Sequence, residues 1–416
     1  MKFVHAADIH LDSPLRGLER YEGAPVHDLR GATRKAFEKL VDLCIEEKAD
    51  FLLIAGDLYD GDWHDYNTGL FFSRQMVRLR EAQIAVFLIR GNHDAESKIT
   101  RQLRLPDNVR SFATHEAETV RLEHLGAALH GRSFATQAMT ENLALSYPAP
   151  LDGFFNIGIL HTSADGRPGH ENYAPCSQGD LAAKGYGYWA LGHIHRREVL
   201  HGGEPWIVFP GNLQGRHIRE TGEKGCTVVS VNDSHETVVE HRVLDVVRWC
   251  ECDVDVDGLD STDDLLTRVQ PALGRAVRKA GDRLLAVRLT LHGSCEAHRA
   301  LVTRPDGFIA EVRALGNDLG HVWIERVEFD TRAPVDLDAI AQQGDPLGQL
   351  VRFTRTLKTD PARVQELVAG FQGLRRKLPA ELGERIFADE TATAGELLGD
   401  VEQLLVLRLL EANEPP

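Results

Sequence analysis

The sequence predicts an α/β protein that is built as a sandwich of sheets with helices on the outside, followed by a small α+β domain and a helical tail. Strands and helices alternate up to residue 89, many short strands follow up to residue 242, and amphipathic helices dominate after residue 334. At 416 residues, the chain is also too long for one average domain.

The first elements predict a βαβαβ unit. A strand over 2–7 precedes a helix over 28–48, in which apolar residues recur at helical spacing, and then the buried strand Phe51–Ala55. A second helix over 67–81 leads to a further buried strand over 84–89. Because strands that alternate with helices usually form βαβ units, these three strands predict a parallel sheet.

The middle of the chain predicts further short strands, several of them joined by glycine-containing turns. These strands lie at 120–123, 127–131, 155–160, 188–191, 206–209, 226–231 and 237–242. The pattern favours a sandwich of sheets over a single doubly wound sheet.

The character of the sequence changes after Leu244. The next part predicts a βαβαβ order, with strands and helices at 252–257, 262–279, 284–291, 295–314 (broken near 305–307) and 321–329. The tail predicts helices at 337–342, 345–356, 361–376 and 393–411. We therefore expect three regions: a large domain at 1–245, a small α+β domain at 250–333 and a helical region at 334–416.

The composition argues against several classes of protein. The longest apolar stretches, Phe51–Ala55 and 84–89, are far too short to span a bilayer. The first ten residues, MKFVHAADIH, lack the basic and apolar parts of a secretory signal. None of the six cysteines forms a CxxC pair. We therefore expect a cytoplasmic protein with reduced thiols and no membrane association.

The charge excludes binding to nucleic acid through a general basic surface, because the formal net charge is -16. If the protein handles nucleic acid, the attraction must come from metal ions, from local clusters of Arg and Lys, or from a partner. The 19 histidines are more informative, since imidazole is a common ligand of transition metals.

Polar residues follow several predicted strands directly, in the segments DIH, GDLYD, GNHD, LHTS and LGHIH. Ligands at the carboxyl ends of neighbouring strands converge on one edge of a sheet, and a preceding glycine permits the sharp turn that this requires. The candidate ligands are Asp8, His10, Asp57, Asn92, His161, His193 and His195.

The types of these residues indicate a two-metal site. Asp-x-His and His-x-His place two side chains on the same face of an extended segment. Carboxylate, amide and imidazole ligands together suit Mn²⁺, Fe²⁺ or Zn²⁺ better than Ca²⁺. Seven ligands are too many for one ion with an open position, whereas two divalent ions that share a carboxylate accommodate them and can clamp a phosphate.

The five segments, in this order, resemble the motifs of the calcineurin-like metallophosphoesterase superfamily, and more closely those of the SbcD-type DNA repair exonucleases in their YhaO-like branch. The resemblance covers 1–245, with a looser resemblance of the region after 250 to that family's capping domain. It implies a four-layer α/β/β/α metallophosphoesterase sandwich. Asp94, where related phosphatases carry Glu, favours the nuclease-like branch.

The resemblance also implies roles for individual residues. One ion would be held by Asp8, His10, Asp57 and His195, and the other by Asp57, Asn92, His161 and His193. His93 would protonate the leaving oxygen or stabilise the transition state, with hydrogen bonding to the substrate phosphate as the alternative role. Asp94 would orient His93.

The residues expected to bind the substrate depart in part from the family pattern. Many SbcD-type nucleases carry a His three residues after the bridging Asp, where this chain has Asp60, and His64 is the nearby residue that could replace it. The backbone of Gly211 and Asn212, together with Arg216, could hold a phosphate. An equally weighted alternative is a turn with a surface Arg.

The resemblance implies a Mn²⁺-dependent DNA exonuclease or endonuclease that works in DNA repair with an SMC-like ATPase. The apolar segment 401–410 either packs on its own domain or docks such a partner, and the basic run 375–377 is expected to be solvated. A phosphodiesterase or phosphatase for a small molecule or protein is the alternative, and a non-catalytic scaffold is a third. The sequence leaves open whether the chain forms a homodimer.

Overall fold

The computed structural model describes residues 1–13, 24–60, 66–96, 105–164, 173–334 and 336–360, and short stretches at 362–366, 369–370, 398–399, 401–402, 405–406 and 409. Its strands are β1 (Lys2–Ala6), β2 (Phe51–Ala55), β3 (Ala85–Ile89), β4 (Val109–Ser111), β5 (Glu118–Leu122), β6 (Ala127–Gly131), β7 (Phe155–His161), β8 (Tyr188–Gly192), β9 (Glu198–His201), β10 (Trp206–Phe209), β11 (Gly225–Val231), β12 (Thr237–Val243), β13 (Val247–Asp255), β14 (Leu284–Ser294) and β15 (Val322–Arg332). Its helices are α1 (Val26–Glu46), α2 (Tyr66–Glu81), α3 (Asn92–Glu96), α4 (Gln178–Ala182), α5 (Thr262–Ala280), α6 (His298–Thr303), α7 (Pro305–Leu319), α8 (Leu337–Ala341) and α9 (Pro346–Thr359).

Two six-stranded sheets form the large part of the fold. The first has the order β12-β11-β1-β2-β3-β4, and its strands from β1 to β4 are parallel. The second has the order β5-β6-β7-β8-β10-β9, and its central strands from β6 to β10 are also parallel. Parallel neighbours bring their carboxyl ends to the same edge of each sheet, which positions the candidate site.

The side chains of each strand alternate between two cores. On β1, Phe3 lies in the core between the two sheets, and Val4 lies in the core beneath α1 and α2. On β8, Tyr188 faces the first of these cores, and Trp189 lies in a third core on the outer face of the second sheet. Because both faces of both sheets are covered, the predicted α/β sandwich with outer layers is confirmed.

The sequence of the outer helix α1 explains why this helix packs on the sheet. Its apolar residues recur at three- and four-residue intervals, so that they form one stripe along the helix. Leu29, Ala36, Phe37 and Leu40 are buried on this stripe. Full burial of a Phe or Leu side chain stabilises the fold by roughly 1.5–3 kcal/mol. This face therefore holds α1 on the sheet.

The region after residue 245 contains a three-stranded sheet with the order β13-β14-β15. The chain divides into two compact units, one of 1–254, 269–290 and 309–328, and the other of 255–268, 291–308 and 329–416. In the second unit, Asp345 caps α9 by accepting from the Gly348 amide at 2.8 Å. The division into three regions at 245 and 334 stays a prediction.

Most of the described residues of the tail are helical, which confirms the predicted helical C-terminal region. Val406 packs with Leu347 and Val351 of α9, and Glu402 accepts from Lys358 at 2.6 Å. The basic run 375–377 and half of the residues of 401–410 lie outside the described residues. In the described part of the chain, every helix is too short or too polar to cross a membrane.

Candidate metal centre

The seven predicted ligands converge where the central strands of the two sheets end. Asp8 and His10 follow β1, Asp57 follows β2, and Asn92 begins α3 after β3. His161 ends β7, and the loop after β8 supplies His193 and His195. Backbone hydrogen bonds from the Asp8 amide to Gly56 and from the His10 amide to Asp57 tie the first two loops together.

Four of these ligands have an unusual backbone conformation. Asp8, His10, Asp57 and His193 have φ angles of 50°, 45°, 51° and 104°. Residues other than glycine seldom adopt such angles, and each one costs on the order of 1–3 kcal/mol. Strain of this kind is retained where it places functional side chains, and here it falls on four side chains of one cluster.

Glycines allow the loops to approach one another closely. An added Cβ at Gly56 would collide with the ring of His161, one at Gly91 with the carboxylate of Asp57, and one at Gly192 with the carbonyl of Ala55. These three positions therefore require a residue without a side chain, because any Cβ would push ligands apart.

The ligand atoms form two overlapping groups. Those of Asp8, His10 and His195 lie within 4.8 Å of one another, as do those of Asp8, Asp57 and His161. Asp57 Oδ2 lies 3.9 Å from His10 Nε2 and 3.5 Å from His161 Nε2, between the two groups. Asp8 belongs to both groups, and Asp57 would be able to serve both if two ions were bound.

Asn92 and His193 complete the cluster. Asn92 Oδ1 lies 2.9 Å from His161 Nε2. The His193 amide donates to both carboxylate oxygens of Asp8 at 3.0 Å, and the His193 ring centroid lies 5.3 Å from that of His161. The structure therefore brings all seven predicted ligands together.

Burial and mutual charge shift the pKa values of these groups strongly. Burial raises the pKa of Asp8 to about 6 and lowers that of His10 to about 3. Burial opposes ionisation of Asp57 as well, but the neighbouring His161 holds the pKa of this carboxyl far below its usual range. Burial likewise opposes the charge on His161, yet Asp57 raises the pKa of its ring to about 9. The mutual attraction of Asp57 and His161 therefore determines the charge state of both side chains.

The residues present fit divalent metal ions. Two buried carboxylates, an amide oxygen and four imidazoles form a mixed oxygen and nitrogen donor set, which suits first-row transition metals. A bound cation would favour the ionised form of Asp8 and the neutral form of His161, since both are required for coordination. The cluster can thus hold divalent metal ions, which could then contact a phosphate group.

His93 lies beside the seven predicted ligands, and with His10 and Asp60 it forms a third group whose ligand atoms lie within 4.8 Å of one another. Its amide donates to Asp57 Oδ1 at 3.0 Å, and its Nδ1 lies 3.0 Å from Asp60 Oδ1. The hydrogen bond to Asp60 raises the pKa of His93. Since 38% of the side chain is exposed, a protonated His93 is accessible to a substrate.

Asp94 does not orient His93 as predicted. Its carboxylate accepts from the backbone amides of Leu58, Tyr59 and Gly91 at 2.9–3.2 Å. Burial and the charge of Asp57 raise its pKa to about 7. Asp94 therefore ties the second and third loops together, and Asp60 takes the orienting position beside His93.

Asp60 also contacts the surroundings of the site. It accepts from Ser13 Oγ at 2.5 Å and lies 3.6 Å from Nη1 of Arg216. The residue that departs from the family pattern thus links His93 to the loop that carries Arg216. Binding of substrate by Asp60 stays a prediction, and His64 lies outside the described residues.

The loop with Gly211 and Asn212 supports His195. The Asn212 amide donates to the His195 carbonyl at 3.3 Å, so this amide is already bonded and does not point at a phosphate as predicted. A Cβ at Gly211 would press on the backbone of Arg197. Arg216 lies at the edge of the site, with Nη2 3.4 Å from His195 Nδ1, and its predicted contact with phosphate remains open.

Glu220 is a functional residue that the sequence did not reveal. Its Oε1 lies 2.6 Å from His195 Nδ1, and only 6% of its side chain is exposed. Burial opposes its charge, but the hydrogen bond with His195 and the charge of Arg216 hold the pKa of Glu220 well below its usual range. A carboxylate on the far nitrogen of a metal-binding histidine fixes the tautomer and orientation of the ring. The sequence signal for this residue is that an acidic residue follows shortly after the predicted loop of Gly211, Asn212 and Arg216.

Comparison with known proteins agrees with this geometry. Residues 1–197 match the family model of the calcineurin-like phosphoesterases, and residues 249–332 match that of the middle domain of metallophosphoesterase YhaO. The chain is 34% identical to the uncharacterized metallophosphoesterase YhaO of Bacillus subtilis (strain 168), over 81% of this chain and 83% of that protein.

A more distant relative is the DNA double-strand break repair protein Mre11 of Methanopyrus kandleri. It is 23% identical over 95% of this chain and 88% of its own length. The strand-end motifs, the geometry of the cluster and these similarities together show that the chain belongs to the calcineurin-like metallophosphoesterases and, within them, to the YhaO-like family of phosphoester hydrolases.

Proposed function

We propose that this hydrolase is a Mn²⁺-dependent DNA nuclease that acts as an exonuclease and an endonuclease in DNA repair. The observation that carries the proposal is the placement of His93, which is exposed beside seven convergent metal ligands and is held by Asp60. A site of this kind can bind a phosphodiester and deliver a proton to the oxygen that departs.

The residues of the site would have different roles in hydrolysis. Two divalent ions, when bound, would supply the nucleophile and neutralise the charge of the phosphate. Asp57 would be a ligand near both groups of histidines, and Glu220 would hold the ring of His195 in place. Asp60 would accept from Nδ1 of His93, which leaves Nε2 to protonate the sugar oxygen as the ester bond breaks.

DNA as the substrate is supported by the likeness to a relative named as a DNA double-strand break repair protein. That similarity covers 95% of the chain and therefore includes the region after residue 245. A hydrolase for a small ester needs no such extension. We also propose an SMC-like ATPase as a partner. A chain with a net charge of -16 repels DNA, so a partner that binds the DNA would hold it near the site.

Manganese is the proposed metal, and the donor set supports this choice. Carboxylate and amide oxygens favour harder ions, and four imidazoles favour softer ones, so the mixture suits Mn²⁺, with Fe²⁺ and Zn²⁺ as the competitors.

The test is hydrolysis by the purified full-length chain with Mn²⁺. Labelled single- and double-stranded DNA are compared with bis(p-nitrophenyl) phosphate, and His93→Ala is compared with a control, His115→Ala, whose side chain is 73% exposed. We expect cleavage of DNA, a 10²–10⁴-fold lower rate with His93→Ala, and full activity with the control. Cleavage of the small ester alone would contradict a nuclease.

A further inference from the structure

A large basic cavity lies beside the metal centre. Its volume is about 1010 Å³, and His195 forms part of its lining. Its cationic lining residues are Arg196, Arg197, Arg216, Arg219 and Lys224. Only two carboxylates, of Glu220 and Glu223, share this lining. Such a local excess of positive charge contrasts with the net charge of -16 of the whole chain.

The two carboxylates are engaged with other groups. Glu220 lies 2.6 Å from His195 Nδ1 and 3.2 Å from Arg216 Nη2. Glu223 lies 3.4 Å from Arg248, which does not line the cavity. Within the described ranges, neither Arg196 nor Arg219 has an ion-pair partner, and both are exposed. These two guanidinium groups are therefore available to an anion.

Buried donors also belong to the cavity. Lys224 is 5% exposed, and its Nζ donates to the His195 carbonyl at 2.9 Å. Arg197 Nε is buried and has no hydrogen-bond partner among the residues that the structure describes. Burial of cationic donors is costly unless an anion or an acceptor compensates. A phosphate can do so, because it accepts several charge-assisted hydrogen bonds at once.

We propose that this cavity binds a phosphate of the DNA strand other than the one that is hydrolysed. His195 belongs both to the ligand cluster and to the cavity lining, so that a strand with one phosphate at the metals brings a neighbouring phosphate to the cavity. A small ester with a single phosphate cannot use both places. This inference rests on the nuclease proposed above, and it makes the enzyme selective for polynucleotides.

The test uses Arg196→Gln and Arg219→Gln, singly and together, in the full-length chain. Arg121→Gln is the matched control, because Arg121 is equally exposed but lies on β5 and does not line the cavity. Hydrolysis of a short single-stranded DNA and of bis(p-nitrophenyl) phosphate is measured with Mn²⁺. We expect kcat/KM for the DNA to fall about tenfold per substitution, mainly through KM, with the small ester and the control unaffected.

Binding of the same DNA, labelled with fluorescein, is measured by anisotropy without metal in EDTA. The slope of log affinity against log salt should lose about 0.7 for each phosphate contact removed. Equal losses for DNA and the small ester, or unchanged DNA affinity and salt slope in the double variant, would overturn the proposal. If the wild type cleaves only the small ester, the nuclease proposal fails. The anisotropy measurement alone then tests whether the cavity binds DNA.

Discussion

Asp60 Oδ1 lies 3.0 Å from Nδ1 of His93, at the exposed edge of the metal-ligand cluster. The carboxylate raises the pKa of His93, so that the ring carries a proton over a wider pH range. The same carboxylate contacts Ser13 and Arg216, which hold it in place. The contact with Asp60 is thus compatible with proton donation by His93.

Replacement of Asp60 by Asn should shift the pH dependence of hydrolysis. A general acid acts only while it is protonated, so activity is lost as the pH rises through its pKa. Asp60→Asn removes the charge that raises the pKa of His93, and the alkaline limit of kcat should therefore move to lower pH. The measurement is a pH profile of kcat with Mn²⁺. An alkaline limit that stays where it is in the wild type would exclude this role of Asp60.

Replacement of Glu220 by Gln should weaken the binding of metal. The hydrogen bond of 2.6 Å to His195 Nδ1 fixes the orientation and the tautomer of the ring. Loss of such a partner typically lowers metal affinity about 10–100-fold. Titration of the metal-free protein with Mn²⁺ in a calorimeter measures the effect.

Glu223→Gln is the control for this measurement. Glu223 lies on the same loop but is exposed and pairs with Arg248. The control should bind Mn²⁺ like the wild type. A Glu220→Gln variant with the same affinity as the control would show that the contact with His195 is irrelevant to metal binding.

His5 should make the fold sensitive to acid independently of the metal centre. It is fully buried between Tyr188 Oη at 3.0 Å and the Leu191 carbonyl at 3.1 Å, and burial lowers its pKa from 6.5 to about 3. The unfolded chain takes up this proton near pH 6.5, whereas the folded chain does so only near pH 3. The stabilising contribution is therefore complete above pH 6.5 and is lost as the pH falls, by about 2 kcal/mol at pH 5.

Comparison of the metal-free wild type with His5→Gln isolates this contribution. The free energy of unfolding in urea is measured for both at pH 7 and at pH 5. The variant should be less stable at pH 7, and the difference between the two proteins should shrink by about 2 kcal/mol at pH 5. A difference that is independent of pH would mean that His5 titrates alike in both states.

The sequence predicted the α/β class and the grouping of the seven ligands because both depend on local patterns. Each ligand follows a strand whose apolar residues are recognisable, and parallel strands bring such positions together. The edge strands Val109–Ser111 and Glu198–His201 escaped prediction, because they are short and partly exposed and lack a clear alternation.

The pairs that orient the histidines could not be predicted from spacing. His195 and Glu220 are 25 residues apart, and their contact depends on the path of the loop that carries Asn212 and Arg216. The family resemblance implies that Asp94 orients His93. The turn at the start of α3 directs the Asp94 carboxylate to three backbone amides instead.

One cluster would hold two metal ions, with Asp57 as a ligand that serves both. Calorimetric titration of the metal-free chain with Mn²⁺, with Asp57→Asn beside the wild type, tests it most directly. We expect two equivalents of Mn²⁺ per wild-type chain and a loss of both high-affinity sites in Asp57→Asn, since Asp57 Oδ2 lies 3.9 Å from His10 Nε2 and 3.5 Å from His161 Nε2, one histidine of each group. A single equivalent in the wild type, or two retained in Asp57→Asn, would contradict it.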